Sequence, residues 1–388
     1  MDKRTQAYYA KRIKEQAKEL GFDLCGITSP DPPPHFNNYI EWLSEGFHGN
    51  MEYMNKERAR NCREDPKNIF PECKSIIVLA ENYYLSDDVS CEDQNNIGKI
   101  ARYAWGKDYH NLLSLKLEKL VDFIEVLTKK TVKHRIYVDT GPLLERELAQ
   151  RAGLGWIGKN TMLINPDIGS WTFLAEVMLD LKLPYDKPYL VDRCGSCTLC
   201  IDSCPTKAIS IDTRGIDSRK CISYLTIEHK GLVDLDKRSF VDDWLFGCDI
   251  CQEVCPWNHR FAQTKDDINK KEALTALNLS ELLDMDEEQF SKKFNERPIK
   301  RTKRVGLIRN ASLILSNNRS DEAFEALSKC LEQDLDPIVR AHCAWAIGQT
   351  KHKLAYKTLK KAYESEKDLL VQKEILDAIG FKQLVSGC

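Results

Sequence analysis

The chain has 388 residues, more than one hydrophobic core ordinarily spans, so two or three domains are expected. Its 42% apolar and 30% charged side chains fit a folded protein, and no apolar stretch approaches the ~20 residues of a membrane span, which excludes a transmembrane protein. A net charge of −2 argues against a uniformly basic nucleic-acid coat, leaving local patches to be sought by segment, and the charged N-terminus is not a secretory leader, so a cytoplasmic location is expected.

Residues 1 to 185 alternate helical and strand patterns. Gln6 to Leu20 is an amphipathic helix, Ser75-Ile76-Ile77-Val78-Leu79-Ala80 a buried strand, and Asn111 to Thr128 a periodic helix. Arg135-Ile136-Tyr137-Val138 reads as a strand, Asp139-Thr140-Gly141-Pro142 as a turn, Leu143 to Ala152 as a helix and Phe173 to Leu179 as a further strand. This is an α/β domain, ending where Asp186 to Arg193 leads into a cysteine cluster.

Eight of the fifteen cysteines fall in that next segment, 186–260. Without a leader, disulfides explain them poorly and metal binding becomes the first reading. Cys194, Cys197, Cys200 and Cys204-Pro205 have the C-x₂-C-x₂-C-x₃-C-P spacing in which three thiolates ligate one cubane cluster and the fourth crosses to another. Cys248, Cys251 and Cys255-Pro256 repeat the motif lacking one thiolate, which Cys221 can supply. By the crossing rule Cys194, Cys197, Cys200 and Cys255 hold one 4Fe-4S cluster, and Cys248, Cys251, Cys204 and Cys221 the other. Fully ligated clusters carry electrons and do not activate substrate. Cys25, Cys62, Cys73, Cys91, Cys330, Cys343 and Cys388 are read as packing residues.

A ferredoxin-like module does not need three hundred further residues, so something else receives the electrons. Asp139, at a strand end and helix start where open α/β sheets place ligands, serves as a proton donor if burial raises its pKa, or as a plain turn aspartate. Gly153, Gly155 and Gly158 do not make a dinucleotide fingerprint, and neither a Walker A loop nor an Asp-x-His-x-x-Gly cobalamin loop is present.

Residues 261–304 form a connecting segment, and from Lys292 to Arg309 the chain is basic: Lys292, Lys293, Arg297, Lys300, Arg301, Lys303, Arg304 and Arg309 stand against Glu296. Such a stripe suits the phosphate backbone of a structured RNA, a solvated linker, or an intramolecular contact with the acidic run Asp284 to Glu288. From 305 to 388 Ile308-Arg309-Asn310-Ala311 recurs as Val339-Arg340-Ala341-His342 and Val371-Gln372-Lys373-Glu374, which points to HEAT-like helical repeats.

The whole chain resembles the epoxyqueuosine reductase family, cobalamin-dependent iron-sulfur enzymes of tRNA queuosine synthesis. The resemblance rests on Met51-Glu52-Tyr53-Met54, Ala101-Arg102-Tyr103-Ala104-Trp105-Gly106-Lys107-Asp108-Tyr109-His110, Asp139-Thr140-Gly141-Pro142, Gly155-Trp156-Ile157-Gly158-Lys159-Asn160, the eight cysteines with Cys255-Pro256-Trp257-Asn258, and the repeats. It implies that the missing centre is a cobalamin without a protein histidine on cobalt, that Asp139 is the general acid, and that the reaction reduces epoxyqueuosine at the wobble position. It further implies cobalamin contacts from Arg58, Arg102, Tyr103, Asn160, Ser170 and Tyr224. Arg297, Lys300, Arg301, Lys303, Arg304 and Arg309 would meet the anticodon arm, and a monomer fed by a low-potential electron donor is expected. Competing readings are a reductive dehalogenase-like enzyme, a two-cluster electron carrier docking by its repeats, and a zinc-stapled RNA-binding module.

Overall fold

The amphipathic start becomes helix α1 (Lys3–Glu19), where Asp2 accepts a hydrogen bond from the Thr5 backbone N–H as N-cap and Ala10, Ile13 and Ala17 form the buried stripe. In this computed structural model the described residues are 2–86, 96–211, 215–259 and 273–386, with the side chains of 381–386 excepted. Cys91, Cys388 and residues 261–272 of the connecting segment lie outside them. The chain packs as two compact units. The described residues of the first fall within Met1–Ser86, Lys107–Arg219 and Ile250–Asp267, and those of the second within Asp87–Gly106, Lys220–Asp249 and Ile268–Cys388.

The first unit is built on four strands, β1 (Leu24–Thr28), β2 (Ser75–Asn82), β3 (His134–Tyr137) and β4 (Thr172–Leu179), in the order β1-β2-β4-β3. Strand β2 is apolar from Ile76 to Ala80 because both its faces are covered there. Ile77 and Leu79 meet Ile13 of α1 and Leu117, Leu120 and Ile124 of α2 (Tyr109–Thr128). Ile76, Val78 and Ala80 meet Leu148 and Ala149 of α3 (Glu145–Arg151).

Every pairing in this sheet is antiparallel, with Val78 opposite Glu176 and Glu176 opposite Tyr137. The ligand rule for open parallel sheets therefore does not place Asp139. It sits at the end of β3 because the chain turns there through the left-handed region, φ 58°, a conformation aspartate tolerates better than branched residues do. Gly141 is required in the same turn: a Cβ there would come within 2.7 Å of the Tyr137 ring.

In the second unit the repeat helices are α4 (Lys303–Leu315), α5 (Asp321–Gln333), α6 (Pro337–Gln349), α7 (Ala355–Ser365) and α8 (Leu369–Ser386). Ile308, Val339 and Val371, the recurring positions, are each buried, so the repeat period marks the inner helix of each layer. A Cβ on Gly348 would meet that of Ala378 at 2.8 Å, which shows how closely α6 and α8 approach. A small mixed sheet of Trp244–Phe246, Ile97–Ile100 and Ala276–Asn278 completes this unit. Among the described residues no helix is long and apolar enough to cross a membrane. Cys62, Cys73, Cys330 and Cys343 are buried as packing residues, and Cys25 is partly buried.

Candidate functional site

Asp139 projects from its turn with a side chain 60% exposed. Its Oδ2 accepts a hydrogen bond from Tyr109 Oη at 2.8 Å and lies 3.5 Å from His110 Nε2. The first turn of α2 supplies both partners. The Tyr109 ring stacks on Phe173 of β4 at 4.2 Å, and the His110 ring stacks on Tyr109 at 4.1 Å. His110 Nδ1 contacts Oδ1 of Asp108, the α2 N-cap, at 2.6 Å.

Burial alone would lower the pKa of His110, but the flanking carboxylates of Asp108 and Asp139 reverse this and lift it to about 9. Burial pushes Asp139 up, yet the hydrogen bonds from His110 and Tyr109 and the nearby positive charges outweigh it, leaving the carboxyl below its ordinary value. The condition set for Asp139 as acid, a pKa raised by burial, is thus not met: the couple holds its proton on His110 at neutral pH. The spacing of the sequence singled out Asp139 and missed His110, whose signal was its place beside a helix-capping aspartate.

The four cysteines Cys194, Cys197, Cys200 and Cys255 line one cavity of about 210 Å³, together with Lys159, Asn160, Ile164, Arg193, Leu199 and Trp257 among others. Lys159 Nζ donates to the carbonyls of Gly195 at 2.7 Å and Cys197 at 2.9 Å, which pins the cysteine loop, and Trp156 Nε1 donates to Cys194 Sγ at 3.4 Å. Burial, with the neighbouring charges of Cys194, Cys255 and Cys197, pushes the Cys200 thiol up to about 11. Burial raises Cys255 as well. Four cysteine sulfurs gathered on one cavity, three of them at C-x₂-C-x₂-C spacing, are a donor set that fits an iron-sulfur cluster. Cys204 and Cys251 belong to the first unit, Cys221 and Cys248 to the second. Cys204 Sγ accepts from the Ala208 N–H at 3.3 Å, and Cys221 precedes the helix Ile222–Ile227 as its N-cap. A wider hollow of about 700 Å³, lined by Glu281, Asp284, Met285, Gln289, Lys292 and Lys293, is an open groove of mixed charge, far less suited to hold a cofactor.

The remaining sequence candidates divide by exposure. Arg58 is exposed and Tyr103 half-buried. Arg102 is buried, its backbone N–H donating to Asp249 Oδ2 at 2.7 Å, and Tyr224 is buried beside His229. Asn160 is buried with Nδ2 on the Cys251 carbonyl. Ser170 is fully buried; its hydroxyl donates to Gln252 and accepts from Asn258, both at 2.9 Å, which leaves no side-chain atom for a ligand. That network ties the loop before β4 to the second cysteine motif.

The basic run also divides. Arg309 is 1% exposed and its guanidinium donates to the carbonyls of His229, Gly231 and Leu225, with burial lowering its pKa to about 10. Arg304 bonds the Met285 carbonyl at 2.6 Å and pairs with Asp334. Arg297 donates to the Trp105 carbonyl at 2.8 Å. These contacts tie the second unit together; Arg309 is too buried to meet RNA, whereas Arg297 and Arg304 are half-buried. Lys300, Arg301 and Lys303 are exposed, as are Lys292 and Lys293, although Arg301 pairs with Glu228 at 2.8 Å. Arg309→Ala is expected to destabilise this unit by about 3 kcal/mol or more, since three buried carbonyls lose a charged donor; urea unfolding measures it.

Residues 193–258 match a family described as a 4Fe-4S double cluster binding domain, residues 63–140 the epoxyqueuosine reductase QueG family (DUF1730), and residues 307–380 HEAT repeats. Over 345 residues the chain is 39% identical to the epoxyqueuosine reductase of Xanthomonas campestris pv. campestris, covering 88% of this chain and 96% of that one. It is 36% identical to that of Escherichia coli K12, covering 88% and 89%. Among solved structures, an epoxyqueuosine reductase with a tRNA-Tyr epoxyqueuosine-modified stem loop matches with a TM-score of 0.88 at 32% identity, covering 96% of this chain and 98% of that one. One from Bacillus subtilis, with its catalytic aspartate loop swung out of the active site, matches at 0.87 with the same identity and coverage. Fold and cysteine centre thus define an iron-sulfur oxidoreductase carrying helical repeats. The chain belongs to the epoxyqueuosine reductase family.

Proposed function

We propose that the chain reduces epoxyqueuosine to queuosine at the wobble position of tRNA, with a bound cobalamin and two 4Fe-4S clusters. The observation that carries this reading is the convergence of Cys194, Cys197, Cys200 and Cys255 on one cavity, in a chain whose relatives are epoxyqueuosine reductases. When bound, the clusters supply single electrons and the cobalamin a cobalt centre for breaking the epoxide carbon–oxygen bond.

The second cluster is assigned to Cys248, Cys251, Cys204 and Cys221. Asp139, the accessible carboxylate of a loop whose counterpart is mobile enough to swing out in the Bacillus subtilis relative, faces the reacting oxygen. Reduction of the epoxide takes two electrons and two protons and releases its oxygen as water. His110 Nε2 holds a proton beside Asp139 at neutral pH, so the couple passes it from imidazolium to carboxylate to the departing oxygen. Arg58, Arg102, Tyr103, Asn160 and Tyr224 are the proposed side-chain contacts to the corrin, with Arg58 and Tyr103 the accessible ones. An unidentified low-potential carrier donates the electrons.

The RNA surface is proposed to be Lys292, Lys293, Lys300, Arg301 and Lys303. Replacing the four lysines by alanine is expected to weaken binding of the tRNA and to reduce the slope of log affinity against log salt by roughly 3 to 4, because each phosphate contact contributes a little under one unit. An unchanged slope places the RNA elsewhere.

The reading as a whole is tested by anaerobic reconstitution with iron, sulfide and cobalamin, metal analysis, and a single turnover with epoxyqueuosine tRNA. About eight irons, one cobalt and conversion to queuosine are expected. Iron uptake without cobalt or conversion leaves an electron carrier, and two zincs without iron end the redox reading.

A further inference from the structure

Beneath the Asp139 loop lie two carboxyls that the proposed reaction does not use. Alternation along β4 puts Glu176 on the face of Leu174 and Met178, inside the apolar cluster of Val78, Leu143, Leu148 and Ala149. It has no exposed surface, and neither of its oxygens meets a donor at hydrogen-bond geometry. Glu145, the first residue of α3, also carries a buried oxygen without a partner. The two carboxyls are close enough to act on each other's protonation, without a hydrogen bond between them, and the Asp139 backbone N–H also acts on Glu145.

The charged groups around them are few. Facing Glu145 are Asp139 from the loop, Arg146 on its own helix and Glu176 from β4. Facing Glu176 are Glu145 and Asp139, while β2 presents Val78 and β3 presents the phenol of Tyr137, whose burial raises its pKa above the ordinary value. Asp139 in turn faces Tyr109 and His110 from α2 and Arg146 from α3, and its charge also reaches Asp108. A carboxylate at Glu176 would be an ion in an apolar cluster with no donor and no cation against it, which is costly enough that the neutral acid is favoured.

We propose that Glu145, half-buried, and Glu176, fully buried, form an acid pair that stores a proton beneath the Asp139 loop and fixes the charge state of the Asp139–His110 couple. Burial, followed by the charge of Asp139, pushes Glu145 up to about 8, and burial with the charges of Glu145 and Asp139 holds Glu176 well above its ordinary value. With the pair neutral, Asp139 is the negative partner of His110. Loss of a proton to bulk base puts a second negative charge under the loop, which raises the proton affinity of both Asp139 and His110. Glu145 and Glu176 act through Asp139 and are positioning residues; their effect on turnover rests on the proposed reaction, whereas their protonation does not.

The sign of the stability effect follows. A carboxyl whose folded pKa is raised contributes stability that is complete below its unfolded value near 4.5 and is lost as pH rises through about 8. At neutral pH the pair therefore weakens the fold, where an uncharged isostere would not.

The test uses the full chain and its Glu145→Gln and Glu176→Gln variants, which keep shape and neutrality. Infrared spectra are expected to show a protonated carboxylic acid band at pH 7 that titrates away near pH 8 and weakens in each variant. By NMR, with the imidazole assigned through His110→Gln, His110 is expected to titrate near 9 and to shift downward by several tenths of a unit in both variants. In the reconstituted enzyme the alkaline fall in turnover is expected to move up by about half a unit, from the titration of the pair near 8 toward the lowered titration of His110. A band missing from the wild type, or a His110 titration identical in all three proteins, overturns the proposal, whether or not the chain reduces epoxyqueuosine.

Discussion

Asp139→Asn is expected to lower turnover of epoxyqueuosine tRNA by about 10²-fold or more, the range a positioned proton donor commands, with iron and cobalt contents unchanged. Asparagine keeps the shape and can still accept from Tyr109 Oη, but it neither carries the proton nor presents a charge to His110. A second readout separates the chemistry from folding. His110 is raised to about 9 by Asp108 and Asp139 together, so removal of one carboxylate lets it fall toward its ordinary 6.5. The stability this histidine contributes is complete below about 6.5 and is lost as pH rises through 9; the variant is expected to lose part of it at pH 6 and nothing at pH 10. Full turnover by Asp139→Asn with a shifted His110 would assign the proton to His110 or Tyr109 directly.

How much of this was legible depends on how local the governing force is. The cysteine spacing was, because C-x₂-C runs bring thiolates together by backbone turns alone, and Cys194, Cys197, Cys200 and Cys255 do line one cavity. The repeats were legible too, since Ile308, Val339 and Val371 occupy equivalent buried positions. Strand direction was not: Ile76 to Ala80 is a continuous apolar run because both faces are covered, a pattern expected of a parallel strand but here produced by α1, α2 and α3 packing on an antiparallel sheet.

Charge was the other failure. A count of basic residues from Lys292 to Arg309 makes one stripe, whereas α4 buries every residue from Gly306 to Leu315 and takes Arg309 with it. The segment Val305-Gly306-Leu307-Ile308-Arg309-Asn310-Ala311-Ser312-Leu313-Ile314-Leu315 is apolar on nearly all sides of the helix, and that lack of a polar face was the available signal. Glu176 within Phe173-Leu174-Ala175-Glu176-Val177-Met178-Leu179 was the same signal in a strand, a single acid where neither face reaches water.

The second large effect is expected at Cys255, which lines the cavity with three cysteines more than fifty positions before it in the chain. Cys255→Ser replaces a soft thiolate by a hydroxyl that binds iron poorly. Reconstituted protein is expected to fall from about eight irons to about four, and turnover by more than 10²-fold, because a gap in an electron path cannot be bypassed by the remaining centre. Cys62→Ser serves as the control: Cys62 is buried in the first unit away from the cavity lining, so its iron content is expected to match the wild type even if its stability drops. The structural consequence distinguishes ligation from packing. Cys255 sits with Trp156, Ile164, Cys194 and Trp257 in a small cluster, and a serine there changes little volume. If ligation dominates, wild type and variant unfold alike without iron and differ only after reconstitution. Equal iron in both proteins would remove Cys255 from the ligand set and with it the crossing of thiolates between the two motifs.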